Sequence, residues 1–262
     1  MSYIDLCFAD SQRQEVIRSL ESVSPSSLHC AAFKKHEEHT SNWLVQSPEW
    51  INWLDREKPQ KFLWIHGIPG SGKTVLASFI IEQVKAHCSD NPKLCYAYYY
   101  CHYSHNQDEG TSFLKWLIAK LCRHATWIPA QLKKIHDHGY EPNIAELENA
   151  LEAVLERFEM TYVVIDAVDE STPRDDLLAV IETIAIEKRF ENLKVLATSR
   201  KYFDIEKVFV GISESISMSN PLVEKDIRLF VHSRLLSSPL VRRFKHLLSQ
   251  IEDVLVTKSQ GM

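Results

Sequence analysis

The run Gly67-Ile68-Pro69-Gly70-Ser71-Gly72-Lys73-Thr74, followed by Val75, fits the pattern G-x-x-x-x-G-K-[ST] of an anion-cradling loop. Gly67, Gly70 and Gly72 are expected to give the backbone conformations closed to other residues, so that successive N–H groups turn inward around phosphate at a helix N-terminus. Lys73 then sets a point charge on the β- and γ-phosphates, the Thr74 hydroxyl ligates magnesium, and Pro69 stiffens the loop. A plain glycine turn is the alternative. The chain has only 7 glycines in 262 residues, and three of them fall inside these eight positions.

Two further stretches carry chemistry. Asp166-Ala167-Val168-Asp169-Glu170 follows the apolar run Tyr162-Val163-Val164-Ile165, which places the carboxylates at the strand edge where parallel sheets bind ligands. Asp166 is assigned to the magnesium shell, and Asp169 and Glu170 to orienting and deprotonating an attacking water. Thr198-Ser199-Arg200 ends the next strand, from which Arg200 can reach a γ-phosphate.

The elements that must position these residues follow from periodicity. Strands are expected at 62–65, 94–101, 162–165, 193–198 and about 214–218, alternating with helices over 73–86, from about 111, from Asn143 (capped with Glu146), from Thr172 as N-cap with Pro173 first, and over 223–257. Alternation of this kind predicts a parallel five-stranded sheet covered on both faces. Upstream, Val16, Ile17 and Leu20 mark a short amphipathic helix before a Ser-Pro-Ser-Ser loop at 24–27. Two helical pieces over 36–57 carry Trp43, Leu44, Trp50, Trp53 and Leu54, with Ser47-Pro48 starting the second. Three tryptophans at near-helical spacing read as core. The expected division is a helical lead-in at 1–57, a nucleotide-binding core at 58–221 and a partial helical domain at 222–262.

Composition narrows the partners. At 45% hydrophobic and 25% charged the chain is ordinarily globular, and a net charge of −5 leaves no electrostatic footprint for nucleic acid. No apolar stretch spans a bilayer and no signal peptide opens the chain, so a cytoplasmic location with no membrane partner is the expectation. The 6 cysteines have no framework spacing. Cys95, Cys101, His102 and His105 lack the paired spacing of zinc sites, and His36-Glu37-Glu38-His39 has i, i+3 rather than i, i+4 histidines.

With these motifs in place, residues 62–78 (FLWIHGIPGSGKTVLAS), 162–170 (YVVIDAVDE) and 193–200 (LKVLATSR), with the lead-in 36–54 (HEEHTSNWLVQSPEWINWL), resemble the NACHT domain of fungal proteins related to NOD-like receptors. The likeness spans about residues 28–262. That family belongs to the signal-transduction ATPases with numerous domains, commonly followed by ankyrin or similar repeats, which use bound nucleotide as a conformational switch. The resemblance implies a P-loop NTPase three-layer sandwich in which Gly67 to Thr74 is the Walker A loop, Asp166 with Asp169 and Glu170 the extended Walker B, and Arg200 the sensor. Ala167 stands where the family usually has glycine. The chain stops at Lys258-Ser259-Gln260-Gly261-Met262 where relatives continue, so a shortened member without the winged-helix part is expected, exposing an apolar stripe that includes Phe244, Leu248 and Leu255.

The expected function is a Mg-ATP/ADP-binding module that couples nucleotide state to self-assembly and signalling, with slow hydrolysis. A homo-oligomer in a longer protein and an unidentified protein partner accompany it. The alternatives are a P-loop kinase or ATPase with real turnover and a scaffold that merely holds nucleotide. No Asn/Thr-Lys-x-Asp motif supports guanine reading.

Overall fold

Runs rich in β-branched and aromatic residues need no polar alternation when helices bury both faces of the sheet. The computed structural model describes the backbone of residues 3–21, 24–237 and 248–259. Its strands are β1 at Phe62–His66, β2 at Leu94–Tyr100, β3 at Met160–Asp166, β4 at Leu193–Ser199 and β5 at Glu214–Ser217. They form one sheet in the order β2-β3-β4-β1-β5, every pair parallel. Ile65 lies beside Thr198 and Tyr100 beside Asp166, so the strands run out along one edge.

Alternate β1 side chains enter two cores. Phe62 and Trp64 pack into the core under α1 (Tyr3–Leu20), α6 (Gly110–Ala125), α7 (Ala130–His138), α8 (Ile144–Leu155), α9 (Asp175–Ile186) and α10 (Phe203–Phe209). Leu63 and Ile65 enter the other, formed with α3 (Asn42–Val45), α4 (Pro48–Leu54) and α5 (Lys73–Cys88), against which α2 (Ser26–Phe33) also packs. The result is the expected three-layer sandwich, with α11 (Pro221–Ser237) and α12 (Leu248–Ser259) beyond β5.

Local chemistry explains most boundaries. The Ser47 hydroxyl accepts from the Trp50 amide at 3.2 Å with Pro48 in the first turn, and Asn143 and Glu146 form a reciprocal capping box. Three α-helices were not anticipated. α2 begins inside the stretch read as a loop, α7 follows Pro129 and ends at Gly139, which is left-handed at φ 66°, and α10 lies in the connection between β4 and β5. One cap is corrected. α9 starts at Asp175 rather than after Thr172, because its leading amides bond to the Asp108 carboxylate from the β2–α6 connection, while Thr172–Pro173 is a cis peptide.

The lead-in is bolted across the far end of the sheet. Trp53 Nε1 donates to the Val195 carbonyl at 2.8 Å, and the Tyr162 hydroxyl donates to the Leu54 carbonyl at 2.6 Å. Buried Lys194 donates to the Asp55 and Lys58 carbonyls beyond the C-terminus of α4. At the other end, the Met218 amide donates to the His66 carbonyl at 2.8 Å. Asn220 then makes a tight knuckle, donating to the Ser217 carbonyl and accepting from the Leu222 and Val223 amides.

Of the stripe expected to be exposed, Phe244 lies outside the described residues, Leu248 is half-buried, and Leu255 is exposed together with Phe230 and Leu229. Among the described residues no helix is long and apolar enough to cross a membrane. Trp53→Phe should lower unfolding free energy by about 1–3 kcal/mol, because it leaves a buried carbonyl one partner short. Urea denaturation followed by far-UV circular dichroism checks this.

Candidate functional site

The turn between β1 and α5 is built by two different uses of glycine. Gly70 and Gly72 take left-handed φ values of 78° and 86°, as expected. Gly67 does not. Its constraint is space: a Cβ there would lie 2.7 Å from both Met218 Cβ and Ser71 Oγ. The glycine at this position is therefore a close-approach residue, which corrects the purely conformational reason given for it above. The loop leads into α5, a 16-residue helix whose first amides point at the turn.

Lys73 Nζ donates to the Gly67 and Ile68 carbonyls at 2.9 and 2.8 Å, lying across the loop it belongs to. Burial pulls its ammonium below the ordinary lysine value, opposed by Asp169 and assisted by Arg200. Ser71 is buried, and its hydroxyl has no hydrogen-bond partner among the described residues. An orphaned hydroxyl, a helix N-terminus and a lysine in one loop are the donor set that a phosphate group satisfies.

Across β4, the end of β3 supplies the carboxylates. Asp166 is 1% exposed, and its Oδ1 accepts from the Thr198 hydroxyl at 2.6 Å; the Thr74 hydroxyl bonds to the same carboxylate. Burial pushes its carboxyl up to about 6 against both hydrogen bonds. The Thr198 hydroxyl also accepts from the Ala167 amide at 3.0 Å. Ala167 is left-handed at φ 58°, a conformation that costs a non-glycine residue about 1–2 kcal/mol. This accounts physically for glycine at the matching position of the family the motifs resemble.

Asp169 is buried and committed to Arg200. One oxygen accepts from the Arg200 amide at 2.9 Å and the other pairs with Arg200 Nε at 3.1 Å. Arg200 Nη1 also donates to the Tyr202 hydroxyl at 3.0 Å. Glu170 is half-buried; its amide donates to the Ala167 carbonyl at 2.8 Å, and its carboxylate has no ion pair or hydrogen bond among the described residues. Pro69, Lys73, Thr74, Asp169, Glu170 and Arg200 line one cleft of about 240 Å³. The structure thus brings the three sequence motifs together.

A second cleft, about 700 Å³, opens on the other side of the same loop. Gly70, Ser71, Gly72 and Val75 floor it, and Trp43, Met218, Val223, Ile227 and Phe230 give it apolar walls. Its opposite walls are joined by Asp226, whose Oδ2 accepts from the Ser41 amide at 2.6 Å and from Trp43 Nε1 at 3.0 Å. Ser233 and Glu37 add a further bond at 2.6 Å. Burial raises the Asp226 carboxyl above its usual value, opposed by those hydrogen bonds.

Sequence reasoning missed Thr198, Arg174 and Asp226 as site residues. Arg174 Nη1 donates to the Asp169 carbonyl at 2.9 Å, fixing the acidic turn from outside. Asp226 had one visible signal, an acidic residue beside Val223 and Ile227 on an otherwise apolar helix face. The cysteine and histidine cluster around β2 has other partners: Cys95 and Cys101 are buried, His102 Nδ1 meets Ser104 Oγ at 2.6 Å, and His105 pairs with Glu109 at 3.2 Å.

A parallel sheet whose carboxyl edge carries this loop, with an acidic strand end and an arginine from the strand between them, defines a P-loop NTPase of α/β fold. The chain belongs to the nephrocystin 3 N-terminal family, whose model matches residues 39–200, more than half of the chain. Vegetative incompatibility protein HET-E-1 of Podospora anserina is 24% identical over 234 residues, covering 84% of this chain and 17% of that protein. The chain is accordingly related to the fungal NACHT-domain proteins and spans only a small part of this relative's length. Among solved structures, Cdc6p of Pyrobaculum aerophilum matches at 16% identity and a TM-score of 0.49, over 80% of this chain and 52% of that one. Drosophila ORC bound to DNA matches at 15% identity and a TM-score of 0.47, over 87% and 52%. Neither structural likeness is close enough to bear on the site.

The Asp166 shift carries a stability consequence. Its folded value of about 6 lies above the unfolded 3.8, so the folded state is favoured at low pH and loses that contribution as pH rises from 3.8 through about 6. Asp166→Asn keeps an oxygen to accept from Thr198 and removes the buried charge. It should raise the thermal midpoint at neutral pH, with the gain shrinking as pH falls below about 6; scanning calorimetry at pH values on either side tests the sign.

Proposed function

We propose that this chain binds ATP or ADP with magnesium at the 67–75 loop and serves as a nucleotide-dependent signalling and oligomerisation switch with slow hydrolysis. The observation that carries the reading is the convergence of Lys73, Thr74, Glu170 and Arg200 from three strand edges at one cleft, with Asp166 bonded to Thr74 behind it, beside a larger apolar cleft on the same loop.

The residues fit such a ligand. Gly70, Ser71 and Gly72 with the α5 amides would hold the phosphates, Lys73 would exchange the loop carbonyls for phosphate oxygens, and Thr74 and Asp166 offer the hard oxygen donors magnesium takes. Magnesium bound there supplies charge neutralisation at the phosphate oxygens. Glu170, the carboxylate without a partner, is the better base for a water, whereas both oxygens of Asp169 serve to aim Arg200 at a terminal phosphate. The apolar cleft suits a base and ribose.

A switch needs an element that the ligand contacts differently in two states. α11 forms a wall of the larger cleft and meets the lead-in through Asp226 and Ser233, so a seated nucleoside would touch both sides of that junction. The division into a lead-in at 1–57, a core at 58–221 and a helical part at 222–262 belongs to the same proposal. Self-assembly and a protein partner belong to the same proposal in a longer protein.

Two substitutions test it. Lys73→Ala should weaken Mg-ATP binding by at least about tenfold without lowering thermal stability, since the ammonium bonds only to loop carbonyls. Glu170→Gln should slow single-turnover hydrolysis by about a hundredfold while leaving affinity nearly unchanged. Calorimetry showing unchanged affinity in Lys73→Ala would remove the phosphate-loop assignment. Light scattering in ADP and in a non-hydrolysable ATP analogue addresses the switch, which predicts different association in the two.

A further inference from the structure

The connection between β2 and α6 makes bonds that nucleotide binding does not require. Asp108 Oδ1 accepts from the Gly110 amide at 3.0 Å and from the Leu177 amide at 3.0 Å, while Oδ2 accepts from the Asp176 amide at 2.9 Å. One carboxylate therefore caps two helices, α6 and α9, whose positive ends both favour it. The next residue adds a second tie. The Glu109 amide donates to the Ser171 hydroxyl at 3.2 Å, and that hydroxyl donates to the Pro173 carbonyl at 2.9 Å. Gly110 closes the contact, since a Cβ there would lie 2.9 Å from the Asp176 carbonyl carbon.

These bonds bracket one short span. Ser171 directly follows Glu170, and Asp176 and Leu177 begin α9, so residues 171–177 are held at both ends by residues 108–110. The ties are themselves anchored. Glu109 is fully buried, with Oε1 accepting from the His102 amide at 2.9 Å, and the Cys101 amide donates to the Asp166 carbonyl at 3.0 Å. Among the described residues the Glu170 carboxylate has no hydrogen bond to fix it, so its placement depends on its backbone, whose amide donates to the Ala167 carbonyl at 2.8 Å.

We propose that Asp108 is a positioning residue for Glu170: by capping α6 and α9 together it fixes the 171–177 span and so sets the Glu170 carboxylate against the phosphate-loop cleft. This rests on the reading of Glu170 as the base. Asp108 touches neither cleft, so its loss acts on the rate and not on affinity.

The test uses the full chain with Asp108→Ala, Asp108→Asn and a core control, Val154→Ala in α8. Mg-ATP affinity is measured by calorimetry, single-turnover hydrolysis by quench, and amide hydrogen exchange over 171–177 by mass spectrometry. Asp108→Ala should hydrolyse about tenfold to a hundredfold more slowly, the scale of a displacement near 1 Å, with affinity within about twofold of the parent. Its 171–177 amides should exchange faster. Asp108→Asn, which keeps one acceptor oxygen, should fall between, and it carries the test if the alanine variant does not fold. Val154→Ala should lower the thermal midpoint and leave the single-turnover rate unchanged. A folded Asp108→Ala with parental rate overturns the proposal, as does loss of affinity in step with rate. A parent chain that neither binds nor hydrolyses nucleotide, with exchange still faster in Asp108→Ala, overturns the nucleotide reading while leaving the tie itself standing.

Discussion

Insertion of β4 between β1 and β3 sets the scale of the site. Adjacent strands are about 4.8 Å apart, so the β1 and β3 backbones run about 10 Å apart. Thr74, at the start of α5, spans that distance with a hydrogen bond to the Asp166 carboxylate. Among the described residues the Lys73 ammonium makes no bond to that carboxylate, and the middle strand supplies its second partner. Thr198, from β4, gives its hydroxyl hydrogen to Asp166 and takes one from the Ala167 amide. Thr198 thereby shares the carboxylate with Thr74 and holds the left-handed turn behind it.

Stability and chemistry pull in opposite directions at this edge. Asp166 is buried at a cost that raises its carboxyl, Ser71 keeps a hydroxyl without a partner, and Ala167 sits in a disfavoured conformation. Each is a local departure from the rule that interiors be satisfied and unstrained, and all lie within the two turns that meet at the cleft. The far end of the sheet compensates, with Trp53, Tyr162 and Lys194 each saturating a carbonyl.

Much of this was legible from the chain. The octapeptide, the acidic strand end and Arg200 each rest on a few adjacent residues, so a local pattern suffices to find them, and the five strands followed from apolar runs separated by helical periods. What escaped depended on contacts distant in sequence. Asp108 and Leu177 are 69 residues apart, and Asp226 and Ser41 are 185 apart. Nothing near Thr172 betrays that the cap of α9 is supplied from elsewhere, so Thr-Pro read as a start by local preference. Gly67 was found for the wrong physical reason, because a crowded neighbour is invisible without Met218 in place.

Met218 gives the joint to α11 a mechanical character. The connector has no glycine, and its short turn is stiffened by Asn220, which holds the Ser217 carbonyl on one side and the first amides of α11 on the other. Met218 is also pinned through its amide to His66 and packed against the site where Gly67 has no side chain. Between α11 and the root of the phosphate loop there is thus a span of three residues, 218–220, tied at both ends, so the two are joined by a short, braced corner rather than a slack tether.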